Sequence, residues 1–109
     1  MNLKSKRSKA CDIPQSVKWE VWERDGHRCI FCGSPNASPN AHIVPRSQGG
    51  LGVKENIVTA CMTCHQRMDN SQAREMFIAK AIKYIKQFVP DWTREMVTYN
   101  KWAFLKKEN

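Results

Sequence analysis

The sequence predicts a small α+β domain, and three observations carry that reading. Four of its five cysteines fall in two matched pairs, Cys29-x-x-Cys32 and Cys61-x-x-Cys64. Between the pairs, short apolar pieces are separated by turn residues, which is the pattern of short strands. On either side of this central part, apolar residues recur at helical spacing. A chain of 109 residues has room for one domain. The expected organisation is a flexible basic tail over residues 1–11 and a single domain over residues 12–109. Within that domain, a motif core spans about 27–70 and a helical extension runs through 71–109.

The N-terminal stretch carries Lys4, Lys6, Arg7 and Lys9 without an acid among the first ten residues and without a hydrophobic period. A solvated tail and a phosphate-binding tail fit it equally. Asp12 followed by Gln15 resembles a capping box, Pro14 suits a first helical turn, and Val17, Val21 and Trp22 share a helical period up to the glycine stop at Asp25-Gly26. Two strands are expected at Cys29-Ile30-Phe31 and Ala41-His42-Ile43-Val44, joined by the turn-rich run from Gly33 to Asn40. Gly49, Gly50 and Gly52 lie in a loop that suits close approach to a ligand or a plain surface turn. Apolar residues 57–60 lead into the second cysteine pair, and a short helix is expected over Thr63 to Met68. The longest helical signal is Ser71 to Val89, ended by Pro90. Its apolar face holds Ile78, Ala81, Ile82, Ile85 and Val89, and another face holds Lys80, Lys83 and Lys86. Trp92, Met96, Tyr99, Trp102 and Phe104 then suggest a segment that folds back on the body.

Composition sets limits on function. The chain is 41% hydrophobic and 26% charged, and it has no apolar run near the ~18 residues of a membrane span. No membrane partner is expected. Eighteen basic against ten acidic residues give a net charge of +8, which points to nucleic acid, although an anionic surface or simple solubility would accept the same charge. No apolar segment suited to a secretory signal follows the basic start, so a cytoplasmic, reducing location is expected and the cysteines read as metal ligands rather than disulfides. Four thiolates in two CxxC turns suit tetrahedral Zn²⁺, closed to water and therefore structural. Four buried free cysteines or a redox pair are the other readings, and Cys11 stands outside the site.

At this point the sequence resembles the HNH endonucleases, or ββα-metal nucleases. The matching stretch is Cys29-x-x-Cys32, the run Ala41-His42-Ile43-Val44-Pro45-Arg46-Ser47-Gln48-Gly49-Gly50, then Glu55-Asn56-Ile57-Val58-Thr59-Ala60-Cys61-x-x-Cys64-His65, about 37 residues in all. The resemblance implies a ββα-metal core held by the Cys₄ zinc site, with an N-terminal helix and a C-terminal helical extension. It implies hydrolysis of DNA phosphodiester bonds with Mg²⁺ or another divalent ion. His42 would be the general base, Asn56 would hold the loop and orient the histidine, and His65 would bind the catalytic ion. It also suggests a phage-type protein found beside DNA-packaging genes, whose products are candidate partners.

Ala41 departs from the family pattern, because many members place an acid or a second histidine there as a ligand. Asp69, four residues after His65, would share one helix face with it and complete the shell, or else simply end the helix; Asn40 is a weaker candidate. Arg46, Lys80 and Lys83 are the expected nucleic-acid contacts, with a solvated surface as their alternative. His27 has no motif position, and the tryptophans suit packing more than base stacking. A non-catalytic zinc module that binds nucleic acid is the competing function, and an interaction domain built on the C-terminal aromatics leaves His42, Asn56 and His65 unexplained.

Overall fold

An antiparallel two-stranded hairpin, β1 (Ala37–His42) and β2 (Ile57–Cys61), organises the chain. The computed structural model describes residues 5–100. Two helices precede the hairpin, α1 (Lys6–Cys11) and α2 (Gln15–Arg24), and two follow it, α3 (Met62–Asp69) and α4 (Ser71–Ile85). Single 3₁₀ turns cover Arg46–Gln48 and Arg94–Val97. The α+β class and the β-β-α order of the core are those expected.

The strands are placed differently from the expectation. Cys29-Ile30-Phe31 is not a strand: Gly33, at φ 79°, turns the chain so that its N–H reaches the Cys29 carbonyl at 2.9 Å, which folds the segment into a knuckle. The first strand instead begins at Ala37 and contains Pro39 and Asn40, which read as turn residues in the sequence. The register explains this. Ser38 faces Ala60 and Ala41 faces Val58, so one extra residue is bulged out between them. A bulge is a place where a proline, lacking an N–H, costs a ladder no hydrogen bond. β2 shows no apolar alternation because Ile57 to Ala60 are all buried.

The N-terminal segment is also corrected. Residues 6–11 form a helix capped by the Ser5 hydroxyl on the Ser8 N–H, and Cys11 is buried. Asp12 ends this helix and does not cap the next one, which starts at Gln15 after Pro14 without a side-chain cap. The reason is tertiary. Arg7 donates to the carbonyls of Arg46 and Ser47, and the Gly52 N–H donates to the Ala10 carbonyl, so a segment with no apolar period is held by polar contacts.

One core joins the hairpin, α3, α4 and the C-terminal segment, with Ala41, Ile43, Val58, Ala81 and Ile85 at its centre. Asp25, read in the sequence only as part of a helix stop, is a buried hub. Its carboxylate accepts from Arg24, from the Thr59 N–H at 2.8 Å and from the Tyr84 hydroxyl at 2.8 Å, tying α2, β2 and α4 together. Burial and the Asp25 carboxylate push the Tyr84 hydroxyl up to about 12, which keeps it a donor. α4 stops at Ile85, short of Val89, and its last residues tighten into i to i−3 bonds before Pro90. The chain then folds back: Trp92 is buried with its indole N–H on the Glu55 carbonyl, and Val97 and Tyr99 bond to Leu51 and Gly49. Trp102 and Phe104 lie outside the described residues, as does Lys4.

Candidate metal centre and active site

The four paired cysteines converge. Their sulfurs all lie within 4.8 Å of one another, and those of Cys32 and Cys61 are 3.6 Å apart. Four sulfurs at 2.3 Å from one tetrahedral ion would be about 3.8 Å apart, so this donor set fits a metal ion such as zinc. The knuckle supplies Cys29 and Cys32, Cys61 ends β2 and caps α3, and Cys64 sits in the first turn of α3. Burial pushes the Cys29 thiol up, but N–H groups of Cys61, Cys32 and Phe31 outweigh it and bring the thiol down to about 7. Burial and the neighbouring sulfurs drive Cys64 the opposite way, well above its ordinary range. Four such groups can all be thiolates only when a cation shares their charge.

His42 closes β1, half-buried. Its Nε2 lies 2.9 Å from the main-chain carbonyl of Cys11. A carbonyl can only accept, so Nε2 carries the hydrogen and the neutral ring keeps its lone pair on Nδ1. Burial depresses the imidazole below its ordinary 6.5; the Cys11 carbonyl works against this, and the nearby charges of Arg46 and His65 add to it. The ring is therefore neutral, and able to take a proton, at neutral pH.

Asn56 is fully buried. Its Oδ1 accepts from the Val44 N–H at 2.8 Å, and its Nδ2 donates to the carbonyls of Val44 at 3.1 Å and Leu51 at 2.9 Å. These three bonds staple the chain just past His42 to the loop that returns to β2. Gly50 lets the loop close, because a Cβ there would lie 1.6 Å from the Val44 carbonyl oxygen.

His65, in α3, puts Nδ1 at 3.6 Å from an Asp69 carboxylate oxygen, the i, i+4 pair expected from the spacing. His65 also lines a cavity of about 410 Å³ with Asn36, Ser38, Asn40 and Thr63, whereas His42 is not among its lining residues. Ala41 is buried in the core and offers no donor. Among the described residues, the four-cysteine cluster is the one group of three or more His, Cys, Asp or Glu side chains poised around a common point.

Residues 29–77 match the family of HNH endonucleases.

That match supports an HNH endonuclease assignment and suggests nuclease-type function, with nucleic acid as the substrate class. The chain is also similar to a protein named Anaredoxin from Nostoc sp., at 27% identity over 56 residues, which is 50% of this chain and 74% of that protein. No solved structure matches. No helix among the described residues is long and apolar enough to cross a membrane.

Two of the expected nucleic-acid contacts, Arg46 and Lys80, have partners of their own. The Arg46 guanidinium pairs with Asp12 at 3.0 Å and also approaches the Ser8 carbonyl at 3.5 Å. Lys80 and Lys83 are exposed on α4, with the Lys80 ammonium 5.8 Å from the Phe77 ring centre. His27, at φ 60°, stacks on Trp22 and pairs with Glu23, away from the HNH residues. Sequence reasoning missed α1 as part of the site. Its contribution to His42 is a backbone carbonyl, which any residue could supply and no motif can mark; the one signal was the extra cysteine, whose burial packs that carbonyl against the ring.

Proposed function

We propose that this protein is a metal-dependent HNH endonuclease that hydrolyses DNA phosphodiester bonds, with His42 as the general base. The observation that carries the reading is the His42 ring itself: held by the Cys11 carbonyl in the tautomer that leaves Nδ1 free, and depressed by burial so that it is neutral at working pH. His42 Nδ1 takes the proton of the attacking water, and the imidazolium so formed is stabilised by its Nε2–H bond to Cys11. Asn56 fixes the backbone that carries this ring. His65 and Asp69 would hold the catalytic ion, and two protein donors suit Mg²⁺, which keeps several waters. Such an ion, when bound, stabilises the negative charge that develops on the phosphate and the leaving oxygen. The Cys₄ group would hold zinc as a structural ion, since four sulfurs leave no position open. Arg46, pulled from Asp12 by a stronger anion, and Lys80 and Lys83 on α4 would meet phosphates.

One observation favours a second reading, a zinc-containing module that binds nucleic acid without cutting it. Ala41 is buried and donor-free, at the position where many HNH proteins carry an acid or a second histidine as a ligand of the ion. A plasmid assay with wild type and His42→Ala across Mg²⁺, Mn²⁺, Ni²⁺ and Zn²⁺ separates the two. Endonuclease function predicts that His42→Ala lowers cleavage about 10²- to 10⁴-fold, with zinc content and DNA affinity nearly unchanged. Absence of nicking by wild type with every ion, together with DNA binding that does not depend on His42, would establish the binding module instead.

A further inference from the structure

Trp19 is 61% exposed and does little visible work in the fold. The other described tryptophans are engaged: Trp92 is buried and bonded to Glu55, and Trp22 stacks on His27 with ring centres 4.9 Å apart. Gln15, Lys18, Trp19 and Trp22 follow one another at i, i+3, i+4 and i+7 and so share one face of α2. Together with Ala37 and Pro39 of β1 they line an open groove of about 250 Å³. Its charge is cationic. Lys18 lies on it, while the acids of α2 are drawn elsewhere, Glu20 towards Lys54 at 3.7 Å and Glu23 towards His27 at 2.7 Å. The chain as a whole carries +8.

The groove shares one wall residue with the cavity that holds His65. Ala37 lines both this groove and the cavity of His65, and from Ala37 the strand β1 leads to His42. Five residue steps at ~3.3 Å make about 17 Å, roughly the span of five stacked bases at 3.4 Å each. A flat, exposed indole with a cation beside it offers a surface to the face of a base. In an intact duplex those faces are covered by neighbouring bases and only the edges show.

We propose that the Trp19 groove is a platform for an unpaired base of single-stranded nucleic acid, stacked on the Trp19 indole with Lys18 against its phosphate, on a strand that continues along β1 towards His42. The path to His42 rests on the endonuclease reading; the stacking does not. The site thereby favours substrates with an unpaired stretch a few nucleotides from the bond that is cut.

The test uses the full zinc-loaded chain and a fluorescein-labelled 15-nucleotide mixed-sequence DNA, read by anisotropy at one fixed salt concentration, beside the same sequence as a blunt duplex. Trp19→Ala is expected to weaken single-strand binding about 5- to 100-fold and duplex binding less than 2-fold, with Trp19→Phe recovering most of the loss. Equal single-strand affinity in wild type and Trp19→Ala, or equal losses on both substrates, would overturn the platform. Plasmid cleavage is measured on the same preparations, which keeps the two proposals apart. Trp19-dependent single-strand binding in a wild type that cuts nothing leaves the platform standing without the endonuclease, and cleavage by wild type without that dependence does the reverse. Because Trp19 is exposed, thermal melting and zinc content of Trp19→Ala are expected to match wild type, and a match excludes misfolding as the cause of lost binding.

Discussion

The four-sulfur cluster and the His42 side of the molecule reach their geometry by different routes. The cluster is complete in its own side chains: four donors, two short turns and one helix start bring every ligand within 4.8 Å of the others. The His42 side is built largely from backbone. A carbonyl from α1 orients the ring, the main chain of Val44 is held by Asn56, and His65 and Asp69 pair with each other along one face of α3. A donor-rich site can bind its metal strongly enough to organise the fold around it, whereas a donor-poor site depends on the fold already being there. The second kind leaves coordination positions for water and substrate, which a hydrolytic site needs and a scaffold does not.

If that contrast is right, the largest effect comes from the cluster. Cys64→Ser, or removal of zinc by a strong chelator, should abolish the cooperative thermal transition, since structural zinc in small modules supplies about 10–16 kcal/mol. A chelated protein that keeps a sharp transition would show that the core stands without the ion. Asn56→Ala should come next, at about 3 kcal/mol by denaturant unfolding, because it leaves the Val44 N–H and two carbonyls unpaired in the interior. Its zinc stoichiometry should stay that of wild type, which marks the staple as belonging to the His42 side alone. The smallest effect on stability, yet a clear one on chemistry, is expected from deleting residues 1–11. The Cys11 carbonyl is lost with them, His42 no longer has a fixed tautomer, and cleavage should fall about 10-fold in a folded, zinc-loaded protein. The same pair of proteins sharpens the pH argument. Burial lowers the His42 pKa, so the acid limb of wild-type cleavage should lie below pH 6.5, and the deletion, which exposes the ring, should move that limb upward. An unmoved limb would show that α1 does not shape the ring's surroundings.

Several of these features were legible from residue types and spacing. The CxxC pairs named the four sulfurs, and the i, i+4 spacing of His65 and Asp69 put them on one helix face, because ligand chemistry and helical period are local properties. The strand positions were not legible. Pro39 and Asn40 carry turn chemistry but occupy a bulge, which depends on the register against Ala60 and Val58. β2 lost its alternation because both of its faces are covered. Trp19 and Trp92 looked alike in the sequence, and only packing distinguishes an exposed indole from a buried one.

By itself the sequence determined the α+β class, the likeness to HNH endonucleases and the four-cysteine cluster, since each is specified by residue identity at short separation. Tertiary structure decided that α1 is part of the His42 site, that Asp25 is a hub and that Arg46 is paired with Asp12. Those features depend on carbonyls, carboxylates and main-chain amides meeting across 31 to 59 residues. Such groups occur all along the chain, and nothing in their local sequence says which of them will meet.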